Sequence, residues 1–174
     1  MAMITLAAIG VAASGCNSSG ADSKGAGPTH DRAVVEKVID GDTVDLRIGS
    51  VIERVRLLGI DTPESVAASV PDQCFGTEAS AALAQLLPIG TSVDISRDVE
   101  ARDRYGRLLL YLSRSDDGLF VNEWLVANGF AEAVSYEPNT THRPLLNQAQ
   151  RQATTDEVGL WGSCDGPNQP LDPN

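Results

Sequence analysis

Thr43-Val44-Asp45-Leu46-Arg47-Ile48-Gly49-Ser50-Val51-Ile52-Glu53-Arg54-Val55-Arg56-Leu57-Leu58 reads as two strands joined by a tight turn. β-Branched and aliphatic residues dominate both arms, and Gly49-Ser50 is a two-residue hairpin turn. Along the second arm, Val51, Glu53 and Val55 alternate with Ile52, Arg54 and Arg56, the period of a pleated strand. Upstream, residues 34–38 form another β-branched run, closed by the turn pair Asp40-Gly41. Downstream, residues 59–63 leave the sheet and residues 65–73 read as a loop.

Residues 77–87 carry Ala79, Ala82, Leu83 and Leu86 at helical spacing, with Thr77 placed to cap and Pro88 and Gly90 to stop the helix. Strands are expected at 92–99 and 106–113, followed by the turn Asp116-Asp117-Gly118. A helix at 121–128 closes on Gly129, and another at 144–157 buries Leu145, Leu146 and Ala149 before Gly159 ends it. Trp161 is expected to pack back onto the body. Three strands, a helix, two strands and two helices make an α+β chain whose best match is a five-stranded Greek-key barrel.

The 174 residues suit one domain with short appendages. At 42% hydrophobic the chain can build a core, and its net charge is -11. That balance argues against tight, sequence-independent nucleic-acid binding, but not against a local basic site. Arg54, Arg56, Arg97, Arg102, Arg104 and Arg107 supply such a cluster.

The N-terminus reads as an export signal over residues 1–15: a short apolar run ends in Ala13-Ser14-Gly15-Cys16. The pattern resembles a bacterial lipoprotein box, with Cys16 lipidated, although Ala13 replaces the usual Leu and the first three residues carry no positive charge. Lipoprotein is favoured over simple secretion. Either way the protein is extracellular or cell-surface, and the lipid on Cys16 would tie it to a membrane. Residues 16–31, rich in Ser, Gly and Ala, are expected to be a flexible tether. The domain is expected to run over 32–164 and to be monomeric, with 165–174 a disordered tail. If Cys16 is lipidated, Cys74 and Cys164 remain, and two cysteines in an exported domain pair as a disulfide.

Three segments carry charge in patterns beyond a turn. Asp42 follows Asp40-Gly41; Asp40 itself is read as turn chemistry only. In Arg56-Leu57-Leu58-Gly59-Ile60-Asp61-Thr62-Pro63-Glu64, Pro63 keeps Thr62 extended, so Asp61 and Glu64 are displayed from a turn, with the Thr62 carbonyl beside them. In Asp103-Arg104-Tyr105-Gly106-Arg107, Gly106 allows close backbone approach and Arg107 offers a guanidinium fork. Three carboxylates suit a hard cation, and two arginines suit a phosphate. Together they are the parts for phosphodiester hydrolysis. The sequence has no P-loop, no Gly-x-Ser-x-Gly and no Cys/His metal spacing; His30 falls in the tether and His142 reads as a helix-start residue.

These three segments, Ile39-Asp40-Gly41-Asp42-Thr43-Val44 in the first, and Pro138-Asn139-Thr140-Thr141-His142 resemble the staphylococcal nuclease (thermonuclease) family, in its order and with similar spacing. The likeness runs from about residue 33 to residue 161. It implies an oligonucleotide-binding (OB-fold) barrel with three helices, and a calcium-dependent endonuclease acting on DNA and RNA, preferring single strands and leaving 3′-phosphates. By motif, Asp42, Asp61 and the Thr62 carbonyl resemble the calcium ligands and Glu64 the proposed general base. Arg56 and Arg107 resemble the phosphate-binding arginines. Arg104 and Tyr105 share the Arg107 motif, and Tyr105 and Tyr136 fall near positions that flank the nucleotide, Tyr136 with a one-residue gap. Two departures stand out: the 65–73 loop contains no lysine, and Phe75 stands where the best-known member has Tyr. The alternatives are a non-catalytic nucleic-acid or peptide-binding module on the same barrel, and a structural surface lipoprotein.

Overall fold

The computed structural model describes residues 31–65 and 73–170. The export signal, Cys16, most of the tether, and residues 66–72 and 171–174 lie outside the described residues.

Five strands close a barrel in the order β1-β2-β3-β6-β5: β1 (Asp31–Val38), β2 (Thr43–Ile48), β3 (Val51–Leu57), β5 (Ser92–Ser96) and β6 (Leu108–Arg114). The hairpin expected over residues 43–58 forms, with Ile48 opposite Val51 and Thr43 opposite Arg56. The barrel closes through a parallel pairing of β3 with β6, Arg56 lying opposite Leu109, and an antiparallel pairing of β1 with β5. A register shift between Val35 and Lys37 bends β1 so that it can pair on both sides. Alternation decides which side chains fill the interior: Val35, Val44, Leu46, Val55, Leu57, Ile95, Leu110 and Leu112 are all buried.

Three helices complete the core: α1 (Gly76–Leu86), α2 (Val121–Ala127) and α3 (Arg143–Thr155). Leu83, Leu125 and Leu146 join the barrel side chains in one cluster. Asn122 on α2 is completely buried, accepting from Leu112 N at 3.0 Å and donating to Leu58 O at 2.8 Å. It bolts α2 to the point where the chain leaves β3. The α+β class, the strand and helix order and the barrel thus agree with the sequence expectation.

Several boundaries differ. Residues 59–63 do not leave sheet structure entirely, because β4 (Ile60–Asp61) pairs with β7 (Glu132–Ala133). The fourth barrel strand ends at Ser96 rather than 99, where Asp98 turns to accept from Thr141 and Tyr111. The fifth begins at Leu108 rather than 106, because Arg107 N is held by the Asp103 carboxylate. Thr77 is not a cap: α1 starts at Gly76, with Phe75 in the N-cap position. Leu145 is 37% exposed; the buried side of α3 is Leu146, Ala149 and Ala153. A short α4 (Leu160–Ser163) carries Trp161, which is half-buried and whose indole N–H has no partner among the described residues.

Residues beyond Cys164 contact the body as far as Pro170. Cys74 and Cys164 are bonded, Cys74 N donates to Gln169 O at 2.9 Å and Gln73 bridges to Pro170. Composition alone suggests a loose tail there; the disulfide and these backbone pairings hold residues 165–170 against the body.

Candidate active site

The site gathers where β2, β3 and β4 meet. Asp42 sits just before β2 and is 6% exposed, with Leu57 N donating to its backbone carbonyl at 2.9 Å. Arg56, one residue earlier on β3, points outward between the buried Val55 and Leu57. The chain then reverses through Gly59 into β4, and the Arg56 guanidinium fills that reversal. Its Nη1 donates to Leu57 O at 3.1 Å and Ile60 O at 2.9 Å, and lies 3.0 Å from Asp42 Oδ2. Its Nη2 donates to Asp61 Oδ1. One planar fork therefore holds two carboxylates and the turn that presents them.

Asp42 is engaged on both oxygens. Thr43 Oγ1 donates to Oδ1 at 3.0 Å, and Thr62 donates to Oδ2 from its N–H at 3.2 Å and its hydroxyl at 3.1 Å. Burial nonetheless pushes this carboxyl up to about 7, against the pull of Arg56, and the charges of Asp40 and Asp61 add to the rise. Burial also raises Asp61, again opposed by Arg56. The Glu64 carboxyl is raised by burial and by Asp40 and Asp61, while Arg56 and Arg107 oppose the rise. Asp61, Glu64, Arg56 and Arg107 thus share one electrostatic neighbourhood, although Glu64 itself lies exposed beyond Pro63.

Arg107 reaches that neighbourhood from the β5–β6 loop. Asp103 accepts from Arg107 Nε at 2.7 Å and from its N–H at 2.9 Å, and the Arg107 charge is felt at Asp61 and Glu64. Tyr105, 67% exposed, lies under both neighbouring arginines, with Arg104 Cζ 4.7 Å and Arg107 Cζ 5.5 Å from its ring centroid. The Arg104 guanidinium also donates to the Tyr105 hydroxyl at 2.6 Å, so it is tied to the tyrosine and not to the acids. Beside Arg107 opens a surface groove of about 410 Å³, bounded by Asp45, Ile52 and Arg54 of the hairpin and by Tyr105. Tyr136 projects near the acids from the segment before α3; burial raises its hydroxyl, and the Asp61 and Asp42 charges act in the same direction.

The arginine cluster read from the sequence divides here. Arg54 is forked onto Asp45 at 2.8 and 3.0 Å, and Arg102 onto Glu53 at 3.0 and 2.8 Å. Neither is available to a phosphate at the acid cluster. Asp40 makes the turn contact expected of it, accepting from Asp42 N at 3.1 Å two residues on, and its charge also raises all three acids. Gln73 and Glu132 were missed altogether. Gln73 bonds Glu64 across the loop, and Glu132 pairs with Asp61 between β4 and β7. Nothing local in the sequence marks either of them.

Among the described residues no group of three His, Cys, Asp or Glu side chains is close enough to hold a metal alone. The donor chemistry still fits a hard cation. Asp42 is a desolvated carboxylate, and Asp61 Oδ2 has no hydrogen bond among the described residues. Two carboxylates with neutral oxygens and water form a calcium-type ligand set, with no sulfur or imidazole among them.

A family profile described as "Staphylococcal nuclease homologue" matches residues 54–163. The chain is 38% identical over 128 residues to a thermonuclease of Staphylococcus intermedius, covering 74% of each chain. The chain belongs to the staphylococcal nuclease family. A thermonuclease of Staphylococcus hyicus is 35% identical over 129 residues, covering 74% of this chain and 75% of that one. Endonuclease YncB of Bacillus subtilis is 33% identical over 129 residues, covering 73% of this chain and 60% of that one. Membership of this family makes the protein a nuclease, and the OB-type barrel described above is its scaffold.

Proposed function

We propose that the protein is an exported, calcium-dependent phosphodiesterase that hydrolyses DNA and RNA, preferring single strands and leaving 3′-phosphates. The observation that carries this reading is the Arg56 fork between Asp42 and Asp61, with Glu64 and Arg107 in the same field. Asp42, Asp61 and the Thr62 carbonyl would hold the calcium ion, which supplies Lewis-acid polarisation of the phosphate when bound. Arg56 and Arg107 bind the non-bridging oxygens and stabilise the charge that develops on them. Glu64 takes one proton from the attacking water while the new P–O bond forms. The bond from phosphorus to the 5′-oxygen breaks, and that oxygen leaves with a proton from solvent. The raised Glu64 carboxyl suits a group that must accept a proton near neutral pH.

Tyr105 and Tyr136 offer exposed rings for a nucleotide beside the phosphate site, and Arg104 fixes the first. Single strands are favoured because their bases are free to stack. Export rests on the sequence of residues 1–16, and the Cys74–Cys164 bond suits an oxidising compartment. Lipid attachment at Cys16 would place a monomeric enzyme at the cell surface.

The test is a cleavage assay on single-stranded DNA and on RNA, with calcium or with excess chelator. Loss of both activities in chelator and their return with calcium is expected; cleavage that persists in chelator removes the calcium assignment. Glu64→Gln is expected to lower turnover by about two to four decades. Near-normal turnover would remove its role as base.

A further inference from the structure

Glu64 and Gln73, nine residues apart in sequence, are clamped together beside the site. Gln73 N donates to Glu64 O at 2.7 Å, and Glu64 N donates back to the Gln73 side-chain Oε1 at 2.8 Å. Gln73 is in turn held by the segment after the disulfide. It bridges to Pro170, its Nε2 donates to Asn168 Oδ1 at 3.4 Å, and its neighbour Cys74 is bonded to Cys164. Asn168 also donates to Glu132 Oε1 at 3.3 Å, and Glu132 is the β7 partner of Asp61. These contacts form a closed circuit: Asp61, Glu132, Asn168, Gln73, Glu64. Gly76 adds a steric stop, since a Cβ there would lie 2.6 Å from Glu64 O.

We infer that residues 164–170 are a strap that acts through Gln73 to hold Glu64 at its working distance from Asp61. Gln73 is the positioning residue and the Cys74–Cys164 bond anchors the strap. Glu64 is otherwise exposed and lies in no helix or strand, next to Pro63, which has no N–H of its own to donate. Without a clamp its main chain is free to move by the ångström that proton abstraction cannot tolerate. This inference rests on the reading of Glu64 as general base.

The experiment is a double-mutant cycle on the full chain, with kcat and KM on single-stranded DNA and calcium in excess. Gln73→Ala removes the side-chain acceptor and leaves the disulfide and the arginines in place. Its kcat is expected to fall by about ten- to a hundredfold, with KM changed less than about threefold. In the Glu64→Gln background the same substitution is expected to change kcat by less than about twofold, because a residue acting through Glu64 has nothing left to position. Asn168→Ala is expected to lower kcat in the same direction and to be less than additive with Gln73→Ala. A full, additive loss in the Glu64→Gln background, or an unchanged kcat in Gln73→Ala, overturns the strap. Near-normal turnover in Glu64→Gln alone instead overturns the role of Glu64, and that result stands apart from both.

Discussion

At the residue scale, Asp42 shows how the fold accommodates its own chemistry. It is buried beside a single guanidinium, and burial pushes its carboxyl from 3.8 to about 7. A carboxyl raised in the folded state disfavours folding as pH climbs above its unfolded value, so its cost is absent below about 4 and complete above 7. Asp42→Asn is therefore expected to abolish cleavage yet raise stability at pH 8 by about 1–2 kcal/mol, measured by urea unfolding in chelator. The gain should vanish at pH 4. It should also shrink when calcium is added, since a cation bound to the folded state alone stabilises the natural chain. Equal stabilities at pH 8 in chelator would show that Arg56 already offsets the burial of Asp42. That Asp42, Arg56 and Asp61 come together was legible in the sequence because each sits in a short charged motif beside a turn. Gln73 and Asn168 were not: both are ordinary polar residues whose importance comes from a return of the chain 95 residues later.

At the element scale, the β5–β6 loop carries Arg107, and Asp98 secures the loop. Its carboxylate accepts from the Tyr111 hydroxyl at 3.0 Å and from the Thr141 N–H and hydroxyl, each at 2.9 Å. Asn139 adds a second tie, accepting from Glu100 N at 2.7 Å. The loop is thus stitched to the segment that leads into α3. His142 ends that segment, and its ring packs 4.4 Å from Tyr111. Partial burial alone would raise Asp98, but the bonds from Thr141 and Tyr111 outweigh it and hold the carboxyl below its ordinary value. A depressed carboxyl contributes stability that is present above its unfolded value of 3.8 and is lost as pH falls through the folded one. Asp98→Ala should accordingly cost about 1–3 kcal/mol at pH 7, with the difference from the natural chain narrowing below pH 4. A difference independent of pH would assign the loss to packing instead of charge. The loop's boundaries were the least legible part of the chain, because both neighbouring strands are cut short by side-chain bonds that no periodicity encodes. The hairpin and the helices at 121 and 143 were legible because alternation, Gly49 and Gly129 are local signals. At Gly129 the requirement is also tertiary: a Cβ would meet Val158 O at 2.1 Å.

At the scale of the whole molecule, two features set this protein's behaviour in solution. The first is the closure of 90 residues of sequence by Cys74–Cys164. Cross-linking so long a loop restricts the unfolded chain, and replacing both cysteines by serine should lower stability by about 2–4 kcal/mol, read as a shift in the urea midpoint. The second is charge. The molecule carries -11 overall, and Arg54 and Arg102 are forked onto Asp45 and Glu53. Under the proposed function, phosphate contacts fall to Arg56 and Arg107, with Arg104 nearby. Each phosphate neutralised on a single strand contributes about -0.7 to the slope of log affinity against log salt. Two or three contacts therefore predict a slope of about -1.4 to -2.1 for single-stranded DNA, measured from KM at fixed calcium over about 50–200 mM salt. Releasing the two forked arginines by Asp45→Asn and Glu53→Gln should steepen the slope and lower KM while leaving kcat unchanged. A slope as steep in the natural chain as in the substituted one would mean that these arginines already reach the substrate, and that the acidic shell does not limit how the enzyme grips it.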